Sequence, residues 1–195
     1  MLKLWIATCE DDFASEFDEI EEMFRRGLTR LILKKRRNRP EDYERWLLGL
    51  SMEYRERIWV WGTPDISNQL DVRGCVVHEE SLKQNVPESY KRVNCMALCK
   101  DADDYRSLPE WVAFALVGPF YQPLSALEPR KLVAMESFLE PNHLSIPLVA
   151  WGGVEPENLH ELKKMPLSGV SVLGGVWNYA DPINAFIKLQ RACIL

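Results

Sequence analysis

Two stretches near the end of the chain decide the fold: IPLVAWGG at residues 146–153 and GVSVLGG at residues 169–175. Each is a short apolar run that ends in a pair of glycines. Continuous apolar runs of this length are typical of parallel strands that are buried on both faces. Because helix-forming residues 156–164 lie between the two runs, they predict consecutive strand–helix units.

The same pattern extends back to the start of the chain, where apolar runs alternate with helical periodicity. Strands are predicted at residues 2–8, 31–33, 58–61, 74–77, 91–98, 112–117, 146–151 and 169–173. Helices are predicted at residues 13–24, from 40 onward, and at 65–70, 130–139, 156–164 and 182–187. The mean step between strands is about 24 residues, the scale of a strand–helix unit. Eight such units predict a small (β/α)8 TIM barrel, with residues 1–195 as a single domain.

The main alternative is an open, doubly wound sheet. Such a sheet carries a glycine-rich turn after its first strand, where a dinucleotide phosphate binds. The segment that follows the first predicted strand is Thr8-Cys9-Glu10-Asp11-Asp12, which contains no glycine. The closed barrel is therefore the preferred prediction.

Composition excludes several classes of protein. The net charge of −5 argues against a dedicated nucleic-acid binder, whose surface is usually basic. No apolar run approaches the roughly 18 to 20 residues of a membrane span, and the acidic start predicts no signal peptide. The five cysteines form no CxxC pair, so reduced and mostly buried thiols in a cytoplasmic protein are expected.

The paired glycines are the first candidate site. A phosphate often binds to the loops after strands seven and eight of a TIM barrel. Gly152, Gly153, Gly174 and Gly175 end these two predicted strands, and glycine lets backbone N–H groups approach an anion closely. Each pair alone also fits a tight turn, but two pairs in these positions predict a phosphate site.

The basic run KKRRNR at residues 34–39 follows the second predicted strand. A solvated surface run is the simpler interpretation for Arg37 and Arg39. Lys34 lies nearest the predicted barrel mouth, where an ammonium group would neutralise a phosphate or diphosphate. Lys34 is therefore the candidate catalytic cation.

Three further residues lie at the predicted mouth. His78 ends the fourth predicted strand, as either a pocket residue or an ordinary surface histidine. Trp61 and Trp151 end the third and seventh strands. Their indoles fit packing at the rim, and equally fit stacking on a flat heteroaromatic ring.

Taken in order, four segments resemble the thiamine phosphate synthase and TenI-type thiazole tautomerase superfamily, and the resemblance covers residues 2–189. The segments are LILKK at 31–35, VGPFY at 117–121, IPLVAWGGV at 146–154 and GVSVLGGV at 169–176. Each segment alone is weak evidence for the resemblance, but the order and spacing of the four segments together are fairly specific to this superfamily.

The resemblance implies a reaction and roles for particular residues. Synthases of this family join hydroxymethylpyrimidine diphosphate to a thiazole phosphate and release diphosphate, with Mg²⁺ on the leaving group. The four glycines would bind the thiazole phosphate. Lys34 would meet the diphosphate, and Lys35 or Arg36 would stand near the family's following lysine. Gln122 and Ser125 would lie at the pocket, in the loop after strand six.

The sequence also departs from the family pattern. Gly62-Thr63 stands where the family has an acidic Mg²⁺ ligand, and Glu79 and Glu80 are the candidates for the second ligand. The loop at residues 122–126 lacks the family's diphosphate-binding cation.

Three hypotheses follow from the resemblance and these departures. The first and preferred one is a divergent, Mg²⁺-dependent thiamine phosphate synthase. The second is a TenI-like or non-catalytic binder of a phosphorylated thiazole-type ligand. The third is a structural partner subunit whose barrel mouth is vestigial. The expected partner is thus a small phosphorylated heterocycle, with a homo-oligomer as a further possibility from the resemblance.

Overall fold

The computed structural model of the chain describes residues 1–37, 39–82, 86, 88–122, 132–138 and 145–194. Eight parallel strands pair in sequence order, and β8 pairs with β1, so the sheet closes. The strands are β1 (Lys3–Ala7), β2 (Leu31–Leu33), β3 (Ile58–Trp61), β4 (Gly74–His78), β5 (Asn94–Cys99), β6 (Phe114–Val117), β7 (Leu148–Trp151) and β8 (Gly169–Val172). The predicted (β/α)8 TIM barrel is confirmed, and the open sheet is wrong.

Helices follow most of the strands and cover the outside of the barrel. The α-helices in the described residues are α1 (Glu16–Arg25), α2 (Pro40–Leu47), α3 (Pro64–Leu70), α4 (Glu88–Lys91), α5 (Ala102–Arg106), α6 (Leu159–Leu162), α7 (Gly174–Trp177) and α8 (Pro182–Ile194). Short 3-10 segments occur at Met52–Arg57, Glu79–Leu82 and Met135–Phe138.

The helix predicted at residues 130–139 is wrong over its described part. Residues 132–134 are not helical, and only Met135–Phe138 forms a single 3-10 turn. The N–H of Val133 donates to the carbonyl of Pro119, 2.8 Å away, in the loop after β6. The segment therefore hydrogen-bonds to a neighbouring loop instead of forming its own helical turn.

The inside of the barrel is filled by side chains. Because side chains alternate along a strand, every second residue points inward. The buried inward cluster consists of Trp5, Ile32, Trp59, Val76, Met96, Leu98, Leu116 and Val149. The barrel is a packed core with no channel in its described part, so a ligand has to bind on its rim.

The seam between the first and last strands is reinforced by the final helices. The indole Nε1 of Trp177, in α7, donates to the carbonyl of Ala7 at 2.7 Å. The N–H of Leu2 donates to the carbonyl of Cys193, 3.0 Å away in α8. Barrel closure is therefore held by contacts between opposite ends of the sequence.

All five cysteines are thiols, as predicted; four are buried and Cys9 is half-buried. Among the described helices, none combines the length and the apolar character that crossing a lipid bilayer requires.

Candidate functional site

Lys34 lies at the mouth of the barrel, at the end where all eight parallel strands finish. Ile32 points into the barrel, so Lys34, two residues further on, points inward as well. Its Nζ is 4.7 Å from the centre of the Trp61 ring and 2.8 Å from a carboxylate oxygen of Glu10. The structure therefore places a partly exposed cation on the rim.

Glu10 is a residue of this site that the sequence reasoning missed. It follows β1, whose neighbour in the barrel is β2, so its carboxylate reaches the lysine that follows β2. The hydrogen bond from Lys34 lowers the pKa of Glu10, which keeps the carboxylate ionised near neutral pH. An incoming phosphate has to compete with Glu10 for Lys34.

Replacing Glu10 by glutamine is expected to tighten the binding of a phosphate-bearing ligand by about two- to fivefold, the value of one exposed ion pair. The measurement is calorimetric titration with thiazole phosphate at pH 7. Glu88→Gln is the matched control, since Glu88 pairs with Lys91 far from the mouth. Equal affinities for the wild type and Glu10→Gln would show that Glu10 does not compete.

Lys35 does not belong to the mouth, which corrects its assignment as a catalytic residue. It follows Lys34 by one residue and therefore points outward, between the barrel and its helices. Its Nζ lies 2.8 and 2.7 Å from the two carboxylate oxygens of Glu16 and 3.1 Å from the carbonyl of Cys9. Lys35 thus forms a buried ion pair that ties β2 to α1.

The aromatic candidates occupy opposite sides of the mouth. Trp61 and His78 meet edge to face, with ring centres 6.1 Å apart, and His78 is exposed. Trp151 is half-buried, and its indole N–H has no hydrogen-bond partner among the described residues. Since β3 and β7 are four strands apart in a closed barrel of eight, Trp61 and Trp151 face the mouth from opposite sides.

The loop after β6 contributes backbone to the rim. Gln122 is exposed, and its carbonyl oxygen would lie 2.7 Å from a Cβ placed on Gly153. Ser125, predicted in the same loop, lies outside the described residues.

The two glycine pairs form one continuous surface, here called the glycine corners. Gly152 and Gly153 have φ angles of +87° and +62°, which L side chains rarely adopt. A Cβ on Gly175 would overlap the carbonyl of Val154, so the loops after β7 and β8 touch through their backbones. Glycine is required here by close packing: Gly175 is buried, and Gly152, Gly153 and Gly174 are half-buried.

The glycine corners offer hydrogen-bond donors. Within the described part of the chain, the N–H groups of Gly153, Gly174 and Gly175 have no acceptor. Gly174 and Gly175 begin α7, whose first N–H groups have no partner within the helix. Three free donors on two touching loops can bind an oxyanion.

Comparison with known proteins finds a similar phosphate-handling enzyme, although no protein-family model matches the chain. A thiamine-phosphate synthase of Staphylococcus saprophyticus is 24% identical over 96% of both chains. The chain is therefore similar to a thiamine-phosphate synthase along nearly its whole length.

Several solved structures have the same fold as this chain. Thiamine phosphate pyrophosphorylase from Bacteroides thetaiotaomicron has a TM-score of 0.77 at 21% identity, covering 100% of this chain and 98% of the other. The pyrophosphorylase from Pyrococcus furiosus has a TM-score of 0.78 at 19% identity, covering 99% and 96%. A 3-hexulose-6-phosphate synthase also has this fold, with a TM-score of 0.70 at 12% identity over 98% and 99% of the chains.

Glu79 and Glu80, the candidate Mg²⁺ ligands implied by the resemblance, differ in their surroundings. Glu79 is 2% exposed in the 3-10 turn after β4. Glu80 is exposed, and its carboxylate lies 3.1 Å from the Lys100 ammonium. Among the residues that the structure describes, no three His, Cys, Asp or Glu side chains are grouped to hold a metal ion.

Asn158 is a second residue of the candidate site that the sequence reasoning missed. Its Nδ2 donates to the carbonyl of Gly153 at 2.7 Å, and its Oδ1 accepts from the N–H of Glu155 at 3.0 Å. These two bonds fix the shape of the loop after β7 around Gly153. An asparagine shortly after a glycine pair, a residue that favours such turns, was the available signal.

Proposed function

We propose that this chain is a divergent thiamine phosphate synthase, which couples hydroxymethylpyrimidine diphosphate to thiazole phosphate and releases diphosphate. The observation that carries the proposal is the pair of touching glycine corners, with three free N–H groups, on the same rim as Lys34. The similarity to thiamine-phosphate synthase over 96% of both chains supports it.

The proposed reaction breaks the bond between the pyrimidine methylene and its diphosphate oxygen, and forms a bond from that methylene to the thiazole nitrogen. The glycine corners hold the thiazole phosphate through backbone N–H groups. Lys34 places positive charge beside the departing diphosphate, where negative charge accumulates in the transition state. Every step of this proposal is carried by residues of this chain, and a Mg²⁺ ion held by Glu79 or Glu80 would further neutralise the charge of the diphosphate.

The aromatic rim residues supply surfaces for the two heterocycles. Trp61 and Trp151 present indole edges and faces from opposite sides of the mouth. A cation-like pyrimidine is stabilised next to an aromatic face, because the ring face carries partial negative charge. The proposed role of Trp61 and Trp151 is therefore to orient the rings, while the phosphate contacts provide affinity.

The deciding experiment is a coupling assay with both substrates, with and without added Mg²⁺, followed by detection of thiamine phosphate. Product that depends on both substrates and on Lys34 supports the proposal. Absence of product under every condition, with the barrel folded, contradicts it.

A second candidate function is non-catalytic binding of a phosphorylated heterocycle. One observation favours it. Lys34 forms an ion pair with Glu10, and the negative charge of Glu10 reduces the attraction of Lys34 for a diphosphate. Calorimetry separates this candidate from the synthase: heat with thiazole phosphate, but no product in the coupling assay, identifies a binder. The absence of both indicates the partner-subunit role.

Asn158→Ala is expected to weaken thiazole phosphate binding by up to about thirtyfold, since it removes two hydrogen bonds that shape the Gly153 corner. Each such hydrogen bond contributes about 1 kcal/mol to the stability of the folded loop. Asn94→Ala is the matched control, because Asn94 donates to the carbonyl of Arg73 at the opposite end of the barrel. If both variants lose affinity equally, the effect is general destabilisation.

A further inference from the structure

A pair of cysteines lies outside the proposed active site, on neighbouring strands. Cys75 in β4 and Cys95 in β5 are register partners across the parallel ladder. Both side chains are fully buried, and their Sγ atoms are 3.5 Å apart. They point outward from the barrel, since Val76 and Met96 are the inward residues of these strands.

The backbone geometry of the pair matches that of a disulfide. Partner residues on adjacent strands are separated by about 4.8 Å in the hydrogen-bonding direction. Disulfides span Cα separations of about 4.4–6.8 Å. The two sulfur atoms are already in contact, so side-chain rotation alone brings them to bonding distance.

We propose that Cys75 and Cys95 form an oxidation-sensitive site that closes into an intramolecular disulfide between β4 and β5. The site is independent of the proposed synthase activity, because neither thiol faces the barrel mouth.

The reactive member of the pair is Cys95. The hydrogen bond from Cys75 lowers the pKa of Cys95, so Cys95 loses its proton first. A thiolate is the form of cysteine that attacks peroxides and disulfides. Cys75 keeps its proton until the second step, because the shared hydrogen bond and burial raise its pKa.

With hydrogen peroxide as the oxidant, the chemistry balances in two steps. The Cys95 thiolate attacks one peroxide oxygen, the O–O bond breaks, and a sulfenic acid and hydroxide form. Cys75 then attacks the Cys95 sulfur, the S–S bond forms and water leaves with the Cys75 proton. Overall, two thiols and one peroxide give one disulfide and two waters.

Access to the buried pair runs through α4. This helix has four residues, none of which is buried, and it lies next to β5. Tyr90 of α4 accepts a hydrogen bond from the Cys95 thiol through its carbonyl at 3.5 Å. A short helix with no buried side chain opens at low cost, which lets a small oxidant reach Cys95.

The test is oxidation of the folded full chain with hydrogen peroxide, followed by alkylation of the remaining thiols in denaturant and peptide mass spectrometry. The expected product has lost two hydrogen atoms, contains a cross-linked peptide with Cys75 and Cys95, and keeps three alkylated cysteines. Dithiothreitol is expected to restore all five thiols.

Cys95→Ser and Cys75→Ser are expected to abolish the cross-link, whereas Cys193→Ser, which removes another buried thiol, is expected to retain it. Circular dichroism checks that each variant is folded. Five alkylated cysteines after peroxide treatment, or a cross-link that involves any other cysteine, would overturn the proposal.

Discussion

Replacing Glu16 by alanine is expected to lower the free energy of unfolding by about 3 kcal/mol, because it leaves Lys35 buried with only the exposed carboxylate of Asp12, 2.9 Å away, as countercharge. The Glu16 side chain is fully buried and accepts hydrogen bonds from Lys35 and from the indole Nε1 of Trp46, at 3.0 Å. Denaturation in urea, followed by tryptophan fluorescence, measures the loss.

The matched control for this prediction is the double variant Glu16→Leu with Lys35→Met. Replacing both charged residues by apolar side chains of similar size often leaves the free energy of unfolding unchanged, since the cost of desolvating the ion pair is avoided. The double variant is therefore expected to recover most of the stability that Glu16→Ala loses. A single variant as stable as the wild type would contradict the buried ion pair.

Lys34→Ala is expected to lower kcat/KM of the coupling reaction by about 10²–10³-fold, the usual effect of removing one group that stabilises transition-state charge. Affinity for thiazole phosphate is expected to change little, because the glycine corners follow β7 and β8, at least two strands from the β2 strand that precedes Lys34, and remain intact. The steady-state rate with each substrate varied in turn separates the two effects.

Arg36→Ala is the control for Lys34→Ala. Arg36 belongs to the same basic run, but it is exposed and pairs with Asp11. Replacing Arg36 is expected to leave the coupling rate within about twofold of the wild-type rate, since an exposed ion pair contributes little to stability. If Lys34→Ala and Arg36→Ala have the same rate as the wild type, Lys34 has no role in coupling.

The barrel was predictable because its strands are continuous apolar runs that end in recognisable turns. Pro40, Pro64 and Pro182 each begin a helix in the structure, as their preference for a first helical turn suggests. The segment at 132–138 was not predictable, because its hydrogen bond to the Pro119 carbonyl depends on which loop lies beside it.

The site was predictable only in part, because side-chain direction depends on exact register. Lys34 and Lys35 are adjacent and chemically alike, yet one faces the mouth and the other lies in a buried ion pair. Strand alternation separates them only once Ile32 is known to point inward. Glu10 acts through a contact between the segments after β1 and β2, which local sequence patterns do not reveal, whereas Asn158 acts within its own loop.

The seam held by Trp177 and Ala7 sets the timing of assembly. These residues are 170 positions apart, so β1 stays without one of its two neighbours until most of the polypeptide has left the ribosome. Pairing between distant segments is slow, since a long loop has to be ordered first. The proposed phosphate-binding end of the barrel follows β7 and β8, so it is completed in the same final step. The nascent chain is therefore expected to acquire ligand affinity abruptly, when the eighth strand emerges.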